Sequence, residues 1–194
     1  MPRSKRTGAQ TRAEAQRVAL RLFGERGYEA TSLRDIAGEL GINKASLYYY
    51  FASKEDLLAS IIASCGQEAR ELVEWLELQP RDQGLAEGAV LRWVGSFSEE
   101  KLAGIRFMNA NPPVMRSLQG DATSDVGEQL GKAVELLADA HTTSEQLLLL
   151  RMAFTSINSA VAATDGTDID DRQVIAAARS AAVALVRAIT NPTS

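Results

Sequence analysis

The chain has 194 residues and a mass of 20.9 kDa; 45% of it is hydrophobic, 24% is charged, and it holds one Cys and one His. That much apolar residue can close one or two compact cores, which excludes wholesale disorder. A lone Cys65 permits no intramolecular disulfide, one Cys with one His is too few for a structural zinc site, and no window reaches the ~18 consecutive apolar residues of a membrane span. The net charge of −4 hides a split: residues 1–55 hold ten Lys/Arg against six Asp/Glu, and residues 56–194 hold eleven against nineteen, a basic head on an acidic body. The opening residues MPRSKRTGAQ carry no apolar run resembling a secretory signal, so a reducing cytoplasm is the expected compartment.

Few Val, Ile or Thr runs against many Ala, Leu, Glu and Arg favour helices. The first helical pattern is Ala15, Val18, Ala19, Leu22 and Phe23, one apolar face that stops at Gly27. Ser32 is a good N-cap for a two-turn helix with Leu33, Ile36, Ala37 and Leu40 on its apolar face and Gly41 as its C-cap. Asn43 caps a third short helix from Lys44 to about Phe51. Ser53, with Asp56 three residues on, reads as a variant capping box opening a long helix over 54–78. Further helices are expected over 82–97, 98–109, 113–119, 123–140, 143–164 and 170–190, broken by Asn111-Pro112-Pro113, Gly120-Asp121 and Asp165-Gly166-Thr167-Asp168. The expected fold is all-α with nine to ten helices: a three-helix head over residues 1–52 and a helical bundle over 53–194.

Two short helices joined by a tight Gly-containing turn, preceded by a longer helix at the basic end of the chain, are the requirements of a helix-turn-helix unit. At ~100° per residue Leu47 and Phe51 share the core side of the third helix. Lys44, Ala45 and Ser46 occupy its first turn, the part that enters a major groove, where Lys suits guanine acceptors and Ala a thymine methyl. Tyr48, Tyr49, Tyr50 and Lys54 are placed to reach flanking phosphates, and the arm Arg3, Lys5, Arg6 to reach a minor groove or phosphates.

The stretch from Thr31 to Phe51, followed by Ser53-Lys54-Glu55-Asp56-Leu57-Leu58, closely resembles the N-terminal domain of the TetR family of bacterial transcriptional repressors. Phe23, Gly27-Tyr28, Thr31, Ile36-Ala37, Leu40-Gly41, Ser46, the run Leu47-Tyr48-Tyr49-Tyr50-Phe51, Lys54 and Leu57-Leu58 carry the likeness, over about residues 10–60. The resemblance implies phosphate contacts at Thr31, Ser32 and Lys54, base approach at Lys44, Ala45 and Ser46, and backbone or base contacts at Tyr48, Tyr49 and Tyr50. Many members carry His where Tyr50 stands.

Beyond the head, Trp75, Trp93, Phe97, Phe107, Met108, Met115, Met152 and Phe154, with Asn109, Asn111 and Asn158 as polar groups, are candidates to line a pocket for an apolar or aromatic small molecule; ordinary core filling is the plainer reading of each. His141 reads as a cation at the C-terminus of the helix ending near Ala140. Cys65 reads as a small buried hydrophobe, and Asp165, Asp168, Asp170 and Asp171 as a solvated turn with Asp170 an N-cap, so no metal or other cofactor is expected. Gly127 to Ala133 superficially resembles a phosphate loop, but it is one residue short between glycines, lacks Ser/Thr after Lys132 and lies in a helical pattern. No Ser or Cys has a His partner in a recognisable catalytic motif, so no catalytic residue is assigned.

The last two helices are apolar beyond one stripe: Leu147–Leu150, Phe154, Ile157 and Val161 in one, Val174, Ala178, Ala182, Leu185 and Ile189 in the other. Such helices must bury a second face, and small residues at Ser156, Ala160, Ala178 and Ala182 allow close approach; a two-fold homodimer through a four-helix bundle is the expectation, and the family's usual arrangement. Together these features point to a repressor that binds a palindromic double-stranded DNA operator as a homodimer and is released by a small-molecule inducer. An activator of the same fold, and more remotely a helical carrier or enzyme, remain as alternatives.

Overall fold

The computed structural model describes residues 7–117, 122–164 and 166–190, and every regular element among them is a helix. In chain order these are α1 (Gly8–Arg26), α2 (Leu33–Leu40), α3 (Lys44–Tyr50), α4 (Lys54–Glu77), α5 (Leu85–Gly95), α6 (Glu99–Ala110), α7 (Pro112–Ser117), α8 (Ala122–Leu137), α9 (Ser144–Ala163) and α10 (Asp171–Thr190). The starts follow cap chemistry. Thr7 with Gln10, Ser32 with Asp35 and Thr143 with Gln146 each form a reciprocal capping box that satisfies two orphan N–H donors at a helix N-terminus. At α4 the box is shifted: Asp56 N–H donates to Ser53 Oγ at 3.1 Å, but the Asp56 carboxylate accepts from Ala52 N–H at 2.9 Å and not from the cap residue. Asp170 accepts from Arg172 N–H at 2.7 Å at the start of α10.

Two ends differ from the expected ones by three residues. α5 begins at Leu85, three residues later than its apolar pattern, because Asp82 Oδ1 accepts from Gly84 N–H at 2.8 Å and holds a turn there. α8 stops at Leu137, so His141 does not sit at its negative end; its N–H donates to Asp139 Oδ1 in the turn that leads into α9. The Cys65 side chain and Asp165 lie outside the described residues. Among the described residues no group of three His, Cys, Asp or Glu is gathered; Asp171 instead pairs with Arg106 at 2.5 Å.

The apolar interior divides into two clusters. One gathers α1, α2 and α3 around Leu22, Phe23, Ile36, Leu47 and Phe51; the other gathers α5, α6, α8, α9 and α10 around Val90, Trp93, Leu102, Phe154 and Ile157. α4 belongs to both. Its first half sends Leu57, Leu58, Ile61 and Ile62 into the head cluster, and its second half sends Ala69, Leu72, Val73 and Leu76 into the body. Between the halves stands Gly66, where a Cβ would lie 2.5 Å from Asp125 Oδ2, so any side chain there would have to displace that carboxylate of α8. Arg70 and Asp125 form an ion pair across the same contact.

The body reaches back into the head through α6. Phe107 is 5% exposed and its ring lies 5.4 Å from that of Phe23 and 5.8 Å from that of Tyr28, closing an aromatic trio inside the head cluster. Truncating a buried Phe of this kind removes transfer energy and leaves a cavity. Phe107→Ala is therefore expected to lower stability by about 3–5 kcal/mol, read from urea denaturation as a fall in the midpoint.

Candidate nucleic-acid interface and internal cavity

The turn between α2 and α3 is set by backbone hydrogen bonds. Gly41 takes the left-handed conformation, φ 65° and ψ 32°, and its N–H donates to Gly38 O while Ile42 N–H donates to Ala37 O, a Schellman closure that glycine makes without a Cβ clash. The chain then turns at once into α3, where Asn43 Oδ1 accepts from Ala45 N–H at 3.0 Å. Leu47 and Phe51 are 0% and 1% exposed and hold the helix against the head core. Lys44, Ala45, Ser46, Tyr48 and Tyr49 are all exposed, Tyr49 at 85%, so the outward side of α3 is a continuous polar and aromatic surface. The Lys44 ammonium lies 5.1 Å from the centre of the Tyr48 ring, one turn along.

Four of the sequence-selected contact residues are placed differently from the rest. Thr31 is buried, its hydroxyl donating to Gly27 O at 2.8 Å, so it fastens the end of α1 to the start of α2 and its side chain does not face solvent. Ser32 is exposed, but its hydroxyl donates to Asp35 Oδ2 at 2.5 Å and any phosphate must compete with that carboxylate. Tyr50 is half-buried, edge-on to Tyr49 with ring centres 5.2 Å apart and turned toward Gly8 of α1. The Lys54 ammonium donates to Tyr28 O at 2.7 Å and sits 4.0 Å above the Tyr28 ring, so it braces the head and is not a free cation. Arg3, Lys5 and Arg6 lie outside the described residues.

Carboxylates tune this surface. The Ser32 hydroxyl, followed by the Ser32 N–H, holds the Asp35 carboxyl below the usual range, and Glu55 is held low first by its backbone N–H and then by Ser53. Burial, reinforced by Glu55, pushes the Tyr28 phenol far up, so it stays protonated and donates to Glu55 Oε1 at 3.3 Å.

A second feature lies at the seam between head and body, a cavity of about 770 Å³ walled by α1, α4, α5, α6, α8 and α9. Of the residues selected for a pocket, Trp93, Phe97, Phe107, Met108, Phe154 and Asn158 line it. Trp75, Asn109 and Met115 do not: Trp75 packs between Gly88 and Arg92 on α5, Asn109 is exposed, and Met115 packs against the head cluster. Met152 faces outward, and the Asn111 amide donates to Phe107 O at 2.9 Å, closing α6. Sequence reading missed the α1 wall, where Gln10, Ala13, Glu14, Arg17 and Leu20 face the cavity. Their spacing of three and four was the signal, a second stripe beside the apolar face of α1.

The family described as bacterial regulatory proteins, tetR family, matches residues 17–61. The chain is 39% identical over 71 residues to the HTH-type transcriptional repressor KstR2 of Mycobacterium tuberculosis, covering 37% of this chain and 32% of that protein. It is 47% identical over 47 residues to the biofilm operon icaADBC HTH-type negative transcriptional regulator IcaR of Staphylococcus aureus, covering 24% and 25%. The match thus spans about a quarter to a third of those relatives. Among solved structures, a TetR-family transcriptional regulator from Mesorhizobium loti superposes with a TM-score of 0.62 at 19% identity over 94% of this chain and 98% of that one. A regulator of the TetR/AcrR family from Thermobifida fusca superposes with 0.51 at 27% identity over 95% and 98%.

Because Asp35 is held low in the folded state, its contribution is present above the ordinary carboxylate range and is lost as pH falls through its lowered value. Unfolding midpoints measured from neutral to acid pH should fall, and Asp35→Asn should flatten part of that fall.

Proposed function

We propose that this chain, whose residues 17–61 match the tetR family of bacterial regulatory proteins, represses transcription by binding a palindromic operator as a homodimer and is released by a small molecule. The observation that carries this reading is the outward side of α3: five exposed side chains, Lys44, Ala45, Ser46, Tyr48 and Tyr49, on a helix fixed from behind by Leu47 and Phe51. Residues 1–52 serve as the DNA-binding unit, with Ser32 and the arm Arg3, Lys5, Arg6 on phosphates or the minor groove. Thr31, Tyr50 and Lys54 support that unit from within. Residues 53–194 serve as the ligand-binding and dimerising unit.

The dimer forms through α9 and α10, which pack extensively on each other and still expose Leu148 and Met152. Both helices are long and apolar enough to cross a membrane by length and composition alone. Pairing with their copies in a four-helix bundle gives that surface a protein partner, and an obligate interface of this kind buries ~2,000 Å² or more. Two recognition helices on one face then meet half-sites about one DNA turn, ~34–36 Å, apart. A ligand in the seam cavity favours the dimers whose heads are wrongly spaced; a hundredfold loss of operator affinity needs a differential of only ~2.8 kcal/mol.

The test is fluorescence anisotropy with labelled duplexes tiled across the DNA flanking the gene, at two salt concentrations. Tight binding confined to one palindromic tile, over weak salt-sensitive binding elsewhere, is expected. Lys44→Ala and Tyr49→Ala should each weaken that binding by about tenfold or more with the unfolding midpoint unchanged; unaltered affinity in both would remove α3 from the interface. Leu148→Glu should shift the protein from dimer to monomer in sedimentation velocity.

A further inference from the structure

The cavity has two chemically distinct zones. Its depth is apolar, with Leu58, Ile61, Ile62, Trp93, Phe154 and Ile157 among its walls, and the one indole N–H there is spent, since Trp93 Nε1 donates to Phe154 O at 2.9 Å. Its rim carries four charges, Glu14 and Arg17 from α1 and Glu100 and Lys101 from α6. Three are matched. Arg17 pairs with Glu14 at 3.5 Å, and the Lys101 ammonium pairs with Glu68 and also bonds the Ser96 carbonyl. Glu100 alone meets no cation among the described residues; its carboxylate accepts only the Ser98 hydroxyl, at 3.2 Å. With Glu68 included, the rim holds one negative charge in excess.

Building on the regulator reading, we infer that the cavity takes an elongated apolar molecule ending in a cation, such as an amine or a quaternary ammonium, with the apolar part in the depth and the cationic end at Glu100. The volume suits a drug-sized ligand, and such sites characteristically join an apolar pocket to a few placed polar groups. The rim charge disfavours a carboxylate or phosphate end, which would stand against the unmatched Glu100 with both nearby cations already engaged. The α1 wall makes the occupant touch the DNA-binding head itself, and Phe107, which lines the cavity and completes the head core, is a second direct contact.

Binding is read without DNA, on the full-length Trp75→Phe protein, whose remaining indole is Trp93. Three probes share one chain length: decyltrimethylammonium, decanol and decanoate, each titrated below micelle formation. The expected result is a shift in Trp93 emission with decyltrimethylammonium binding at least tenfold tighter than decanoate. That contrast should shrink to within about twofold in Glu100→Gln, with decanol unchanged. Filling the cavity from either of two walls, by Gly104→Leu or Ile61→Phe, should abolish all three signals, and whichever variant folds serves. Equal or tighter binding of decanoate overturns the charge assignment, and no binding by any probe overturns the cavity as their seat. Either failure leaves the anisotropy result for operator binding standing, so the two readings fall separately.

Discussion

α4 is a structural member of two cores at once. One continuous hydrogen-bonded rod cannot shift its first half without moving its second, so the position of α3, which rests on the same cluster as Leu57 and Leu58, is tied to the packing of the body. Phe107 adds a second tie from α6 into the space between Phe23 and Tyr28. The Lys54 ammonium on the Tyr28 carbonyl fastens the beginning of α4 to the same place. Because a packed interior rearranges between discrete arrangements and resists continuous deformation, these ties couple the packing at the seam to the position of α3.

Where the head could be read from the sequence, the reason is local chemistry. Ser32, Gly41, Asn43 and Ser53 announce helix ends because each satisfies backbone groups only a few residues away, and the observed ends fall where these residues stand. The same local reasoning identified Leu47 and Phe51 as the buried side of α3. It did not foresee the internal partners of Thr31 and Lys54, where residue type suggests a phosphate and each side chain here donates to a carbonyl supplied by another part of the head. A hydroxyl or an ammonium does not reveal in sequence whether its acceptor will be a phosphate or a neighbouring backbone.

The cavity was harder because its walls are far apart in the chain, from Gln10 on α1 to Asn158 on α9. Aromatic identity picked out Trp93, Phe97 and Phe154, but it also picked out Trp75, whose direction is decided by Gly88 and Arg92 on a different helix. The α1 wall escaped notice for the complementary reason: Ala13, Glu14 and Arg17 look like a solvated helix face until a second body is packed beside them. Ala13 and Arg17 stay exposed at the cavity mouth, and the period of three and four alone does not say which side the body will take.

The seven-residue α3 separates holding from reading. Leu47 and Phe51, with half-buried Tyr50 beside them, tie it to the core, and its exposed residues contribute little to folding. Surface substitutions away from caps and packing usually alter stability by no more than about 0.5 kcal/mol. The outward set is therefore free to vary while the frame beneath it stays fixed. On the proposed reading, operator preference can drift, or be exchanged by grafting, on a scaffold that never has to be refolded around the change.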